Sequence, residues 1–333
     1  MLMEYLIDID SSERDCTKYP EPNDYVVNLN RELYNITNLH LESARIPTSQ
    51  LHTSVGNKTF SIDGITINLP ERNFSDGTEL ASNLQDVLSS FSSNVTSVTY
   101  NSNTHALTFS NATTNNFTFE FKDGVNGSNT NSTNGTPFSL LGFNCDDQSS
   151  TSGSLISESI DLDGPTSLIL RLTTNGDDLN KDVYVNGGTF SFNGSTGGID
   201  FTGTVESVYM GRIMTSGHNE LIDYNGNDDP ITHFFHRGNE KSISQLRIRF
   251  YYNVGSKLIP YDFRSRNHTL KFRVRCSLDK LSSLELQPEV HDDSLPPPVE
   301  FPFLEPPERD QKTFIMTIGF GLIIGLLFLM LKR

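Results

Sequence analysis

Leu270-Lys271-Phe272-Arg273-Val274-Arg275-Cys276 alternates an apolar and a cationic side chain along most of its length. A period of two marks a half-buried β-strand, with Leu270, Phe272, Val274 and Cys276 on one side and Lys271, Arg273 and Arg275 on the other. Gln245-Leu246-Arg247-Ile248-Arg249-Phe250-Tyr251 repeats the pattern, with Arg247 and Arg249 outward. If the two strands are neighbours, five cations share one sheet face. Like charges opposite one another in a sheet are destabilising unless something acidic covers them. Three covers fit: the chain's own acidic part, an acidic neighbouring subunit, or lipid phosphates. A solvated face with scattered counter-charges is the plain alternative. We take Arg247, Arg249, Lys271, Arg273 and Arg275 as a basic face that contacts a partner.

Outward from these two strands the body reads as β. Strand patterns fall at 5–10, 24–30, 34–46, 95–100, 106–110, 117–121, 167–172, 189–192, 199–209 and 258–263. A strand pair at 59–69 surrounds Asp63-Gly64, a hairpin signal. One soluble helix is predicted, capped by Asp76 or Thr78, with Leu80, Leu84, Val87, Leu88 and Phe91 at helical spacing. Residues 123–136 are rich in Gly, Asn, Ser and Thr and read as loop or disorder. Many short strands, frequent turns and one helix predict a mainly β fold, a jelly-roll or other β-sandwich, as one unit or two smaller ones. The body is taken as residues 1–285, with 123–165 read as an insertion or a boundary.

Two segments follow the body. Residues 286–311 hold Pro288, Pro296, Pro297, Pro298, Pro302, Pro306 and Pro307 among acids. They read as an extended polyproline stalk that, at about 3.1 Å per residue, reaches up to about 75 Å. Residues 312–333 read as a membrane anchor. The uncharged run 313–331 would form a helix of roughly 28 Å, close to the hydrocarbon thickness of a bilayer. Its anchoring side chains are Thr313, Phe314, Ile315, Ile318, Phe320, Leu322, Ile323, Ile324, Leu326, Leu327, Phe328, Leu329 and Leu331. Lys312, Lys332 and Arg333 flank it and can snorkel to headgroups. The opening residues lack a basic n-region, so the body is expected to stay in the cytosol.

The net charge is −16, unevenly placed. Residues 1–240 carry 11 Lys+Arg against 31 Asp+Glu, residues 241–280 carry 10 against 2, and residues 281–311 carry 1 against 8. So acidic a body argues against nucleic acid as a partner. Cys16, Cys145 and Cys276 are an odd, scattered set, neither a disulfide framework nor a zinc site. Asn35, Asn94, Asn111, Asn116 and Asn193 open Asn-x-Ser/Thr sequons, which we read as compositional in a chain with no secretory signal.

No chemistry stands out. Asp223, Asn225 and Asn227 resemble the start of a calcium loop, but Asp228 stands where glycine is needed and Phe234 where glutamate is. The expected state is a solvated loop. His233 and His236 lack a third ligand nearby. There is no P-loop, Rossmann fingerprint or Gly-x-Ser-x-Gly elbow. The expectation is a non-enzyme without a cofactor or metal.

Several segments in order carry a family resemblance. They are Ile7-Asp8-Ile9-Asp10-Ser11-Ser12-Glu13-Arg14-Asp15, the stretch 19–27, Leu39-His40-Leu41-Glu42-Ser43-Ala44-Arg45-Ile46-Pro47-Thr48-Ser49, the stretch 66–75 with the helix after it, Leu140-Leu141-Gly142-Phe143, Leu246-Arg247-Ile248-Arg249-Phe250, and Tyr261-Asp262-Phe263-Arg264-Ser265-Arg266-Asn267-His268-Thr269-Leu270. Together they resemble minor capsid proteins of large icosahedral nucleocytoplasmic DNA viruses, of algal-virus and giant-virus type. The resemblance covers patches of residues 4–277. It implies a virion structural protein with a jelly-roll-like fold and no catalysis. It also implies that major capsid protein and other minor capsid proteins are partners. With the tail and stalk, the expected place is between capsid shell and inner virion membrane, after assembly on membranes in the host cytoplasm. The rival expectation is a membrane-anchored surface adhesin or spike that binds glycan or a host receptor, with its sequons glycosylated.

Overall fold

The computed structural model describes residues 2–91, 94–174, 177–178, 184–193, 198–206, 211–215, 221–234, 242–255 and 257–277. Three strands come first: β1 (Leu2–Asp10), β2 (Asp24–Leu33) and β3 (Ile36–Pro47). An inserted group follows: β4 (Thr59–Ile62), β5 (Ile65–Asn68), α1 (Gly77–Ser90), β6 (Ser97–Asn101), β7 (Ala106–Ser110), β8 (Thr118–Glu120), β9 (Gln148–Ser149) and β10 (Ser154–Ser159). Next come β11 (Ser167–Thr174), β12 (Asp177–Asp178), β13 (Tyr184–Asn193), β14 (Gly198–Glu206), β15 (Gly211–Met214), β16 (Leu221–Asn225) and β17 (Ile231–Phe234). The last are β18 (Ile243–Val254), β19 (Lys257–Pro260) and β20 (Thr269–Ser277).

Two antiparallel sheets form a β-sandwich. In the first, β1 pairs β20, β20 pairs β3, and β16 and β17 lie end to end along the far edge of β3. In the second, β11 pairs β18, whose other edge takes β2 and then β19. The far edge of β11 takes β15 and β12. Alternation turns Ile7, Ile9, Leu39, Leu41, Phe272 and Val274 of the first sheet inward. There they meet Tyr25, Leu168, Leu170, Leu172, Leu246, Ile248 and Phe250 of the second in one hydrophobic cluster. Burying each such side chain contributes about 1.5–3 kcal/mol.

The inserted group, between β3 and β11, builds a second cluster that shares no residue with the first. Here β5–β4–β8–β9 and β10–β7–β6 are separate small sheets, and α1 lays Leu80, Leu84 and Leu88 against them. Asp76, not Thr78, caps α1: its Oδ1 accepts the Glu79 amide at 2.8 Å, while Glu79 Oε2 accepts the Ser75 amide at 2.8 Å. Asp63 (φ 49°) and Gly64 (φ 77°) turn the β4–β5 hairpin through the left-handed region. Among the described residues no strand lies between β8 and β9, so 123–136 is a loop, and it is held by specific bonds.

The alternating strands lie where the pattern places them, with shifted ends. The strand predicted at 258–263 stops at Pro260. The Tyr261 amide makes the last cross-strand bond, to Phe250 O at 3.0 Å, while its hydroxyl donates to Pro47 O at 3.1 Å and accepts the Ser49 amide at 3.1 Å. Strands β9, β10, β12, β15, β16 and β17 lie outside the predicted ranges, and the loop expected at Asp223 begins inside β16. Among the described residues no helix is long and apolar enough to cross a membrane. The expected stalk at 286–311 and the expected anchor at 312–333 fall on residues outside the described ones.

Candidate interaction faces and a clasp

Strands β18 and β20, which carry the predicted basic face, belong to different sheets. Both turn their apolar residues into the same core, so their cations point away from it on opposite sides. Lys271, Arg273 and Arg275 lie on one outer face and Arg247 and Arg249 on the other. The premise of a shared face therefore fails: alternation fixes which side of a strand is outward, and the topology puts the two outward sides apart.

On the first face the register sets β1 acids beside β20 cations: Glu4 opposite Arg275 and Asp8 opposite Lys271. Arg275 Nε reaches Glu4 Oε1 at 2.6 Å, Lys271 Nζ lies 3.9 Å from Asp8 Oδ2, and Arg273 pairs with Glu42 of β3. Arg45 Nε meets Asp223 Oδ1 of β16 at 3.0 Å. The cover over these cations includes the chain's own acids. Exposed pairs of this kind are worth about 0–1 kcal/mol each. Exposed Leu2, Leu6 and Phe234 stand among them, so this surface mixes compensated charges with a few apolar side chains. His40, opposite Arg273, has its pKa lowered by burial and then by the Arg273 charge; its Nδ1 bonds Thr232 Oγ1 at 2.7 Å.

On the second face Arg247 holds Asp24 in two parallel bonds of 2.7 Å, Nε to Oδ1 and Nη2 to Oδ2. Arg249 stands opposite Asp24 on β2 and opposite Arg171 on β11. Both Asp24 oxygens are engaged by Arg247, and the buried Nε of Arg249 meets no acceptor among the described residues.

At one end of the sandwich, segments that carried the family resemblance meet. The chain leaves β1 through a short turn at Ser11–Glu13 whose cap is Asp10, which accepts the Ser12 amide at 2.8 Å. Ser11 then exchanges backbone and side-chain bonds with the residues before β20: Ser11 N to His268 O at 2.9 Å, His268 N to Ser11 Oγ at 2.8 Å, and Ser11 Oγ to Asn267 Oδ1 at 3.3 Å. Arg14 donates to the carbonyls of Ser11, Tyr19 and Pro20 and to Asn267 Oδ1 at 2.8–3.0 Å. His268 Nε2 shares a 2.9 Å bond with the Tyr25 hydroxyl, and Phe250 and Phe263 enclose the ring. Burial pushes His268 down to about 3 and the Tyr25 hydroxyl strongly upward.

The Ser11 hydroxyl spends its proton on an amide oxygen, and the Arg14 guanidinium is held by three backbone carbonyls and the Asn267 side chain. The cluster is thus a clasp between the two ends of the chain's sandwich strands, not a nucleophile with a base. Nothing in the sequence except the resemblance singled out Asn267 and His268. Beside the clasp, the edges of β1 and β2 frame a groove of about 420 Å³ that includes Asp8, Asp10, Asp15, Tyr19 and Val27. Asp10 and Asp15 are held below the usual carboxylate range, Asp10 by the Ser12 amide first and Asp15 by the Thr17 hydroxyl first.

The remaining candidates are dispersed. Asn225 and Asp228 close the turn between β16 and β17, with Asn225 Nδ2 donating to Asp228 Oδ2 at 3.2 Å. His233 is buried on β17, and His236 lies outside the described residues. Among the described residues no group of three or more His, Cys, Asp or Glu could hold a metal. Cys16 is exposed, Cys145 half-buried and Cys276 buried, all free. Of the sequon asparagines, Asn94 and Asn116 are exposed and Asn111 is buried.

No protein-family model matches the chain, and no curated protein matches it. Among solved structures it is similar to the penton protein of mavirus, at 8% identity and a TM-score of 0.32 over 83% of this chain and 99% of that one. It is also similar to a chain of the Sputnik virophage, at 12% identity and a TM-score of 0.29 over 83% and 98%.

Proposed function

We propose that this chain is a minor capsid protein that links an icosahedral shell to the inner virion membrane. The observation that carries the reading is the strand order, β1–β20–β3–(β16, β17) in one sheet and (β15, β12)–β11–β18–(β2, β19) in the other. Successive strands alternate between the sheets through β1, β2 and β3, and the last strand returns beside the first. That interleaving is the jelly-roll wrap, used by viral capsid and lectin domains. A fold alone does not set a function. The second support is the clasp: segments of the resemblance that are far apart in sequence close one end of this wrap together.

In this reading the work is mechanical. The sandwich docks to major capsid protein and other minor capsid proteins, the acidic stretch 286–311 acts as a spacer, and 313–331 partitions into the bilayer. Weak contacts repeated over a shell become strong together. The test is fractionation of purified particles. The chain is expected to stay with the shell in detergent and to leave only when capsid contacts are also broken; a variant lacking 312–333 should lose the membrane fraction alone. Release of the intact chain by detergent alone, carrying glycans, would overturn the reading in favour of a surface adhesin.

Which face meets the shell is a separate expectation. Neutralising Lys271, Arg273 and Arg275 to glutamine, or Arg247 and Arg249 to glutamine, should cost at most about 1 kcal/mol per exposed pair. One of the two sets should lower incorporation into particles while the body stays folded. Normal incorporation of both would remove the cations from the docking surface.

A further inference from the structure

Lys257 opens β19, and its half-buried side chain brings the ammonium to the loop of the inserted group. Nζ donates to Asn126 O at 3.1 Å, to Thr130 Oγ1 at 3.0 Å and to Asn134 O at 3.0 Å. A lysine ammonium has three donors, and here each has one oxygen, none of them a carboxylate. Partial burial lowers the Lys257 pKa. The loop is braced around this point: Gly127 N donates to Gly124 O at 2.9 Å, Thr130 N to Gly127 O at 2.9 Å, and Ser132 Oγ to Asn126 Oδ1 at 2.6 Å. Gly135 N donates to Gly56 O at 2.8 Å, and a Cβ on Gly135 would come within 2.7 Å of Val254. So the loop lies against the β18–β19 hairpin with no room for a side chain at Gly135.

We propose that residues 126–134 form a cage for a monovalent cation of ammonium type, that its resident cation is the Lys257 ammonium, and that this charge latches the inserted group to the sandwich. A loop of Gly, Asn, Ser and Thr has little apolar surface to bury, so its order must come from polar bonds. Oxygens that converge on one point repel each other unless a cation sits among them. The lysine brings that cation from the other core, which makes the contact a joint between the two parts. The inference stands independently of the capsid reading.

The test is amide hydrogen exchange on the full-length chain. In Lys257→Ala and Lys257→Met the amides of Gly127, Thr130 and Gly135 should exchange about tenfold faster or more, the scale of a lost charged hydrogen bond. Amides of Ile248 and Phe250 should stay protected, which shows that the sandwich is folded. Ammonium chloride should restore protection in Lys257→Ala, where the cage is vacant, and not in Lys257→Met, where the stem still fills it. Sodium chloride at equal ionic strength should restore less. Unchanged exchange in both variants would overturn the latch. Absence of recovery with ammonium, or equal recovery with both salts, would overturn the cage.

Discussion

Replacing Phe119 by alanine should cost about 3–5 kcal/mol, the range for emptying a buried phenylalanine site. Phe119 is fully buried at the hub of the inserted core. Its ring lies 4.8 Å from Phe109, 5.7 Å from Phe121, 5.8 Å from Phe60 and Phe143, and 5.9 Å from Phe117. One substitution removes five ring contacts at once, and rigid neighbours cannot collapse into the space. Whole domains are stable by only about 5–15 kcal/mol. The loss should therefore fall on the inserted group first, because its core shares no residue with the sandwich. Exchange at Leu107 and Phe109 amides should rise far more than at Ile248 and Phe250. A uniform rise would mean that the two cores unfold as one unit.

Acid should destabilise the protein well above the carboxylate range. His268 is buried and stays neutral down to about 3, whereas an unfolded histidine takes its proton near 6.5. Between these values the unfolded chain binds one more proton than the folded chain, so stability falls as pH falls. The slope approaches about 1.4 kcal/mol per pH unit, and the whole window is worth about 5 kcal/mol. His40 works in the same direction, through burial first. Asp10 and Asp15 add a separate loss at lower pH, because their folded pKa values are depressed. Urea midpoints from pH 7 to pH 5 measure the histidine window. In His268→Asn the slope should drop by about one proton, whatever the absolute stability of the variant. An unchanged slope would mean that the ring is hydrated or charged in the folded state.

How much of this was legible beforehand follows from burial. β18 and β20 bury one face each and expose the other, so their sequences state their orientation outright. They do not state which sheet each joins. β19 and the Tyr261–His268 connection lie between them, and β20 passes to the other sheet instead of pairing with β18. β15, β16 and β17 are four or five residues long, with one or two inward positions apiece, too few to show a period. Asp76 and Thr78 are both capping residues, and only the extended backbone at Asp76 decides between them. His268 reads in sequence like any loop histidine, since its burial depends on Tyr25, Phe250 and Phe263, which arrive from other strands. The compensation of the β20 cations was among the covers considered, and it rests on a register that sequence spacing does not reveal.

The separation of the two cores has an evolutionary consequence. Sequence drift inside residues 60–141 is felt by one hydrophobic cluster, and drift in the sandwich by the other. The inserted group can thus accumulate substitutions, lengthen its loops or be exchanged for another cassette while the wrap of β1 to β20 keeps its own fitness. Part of the cost of such an exchange falls at the joint, where Lys257 and Gly135 must still find their partners. Variation should therefore run fast over the inserted surface and slowly at that hinge of inheritance.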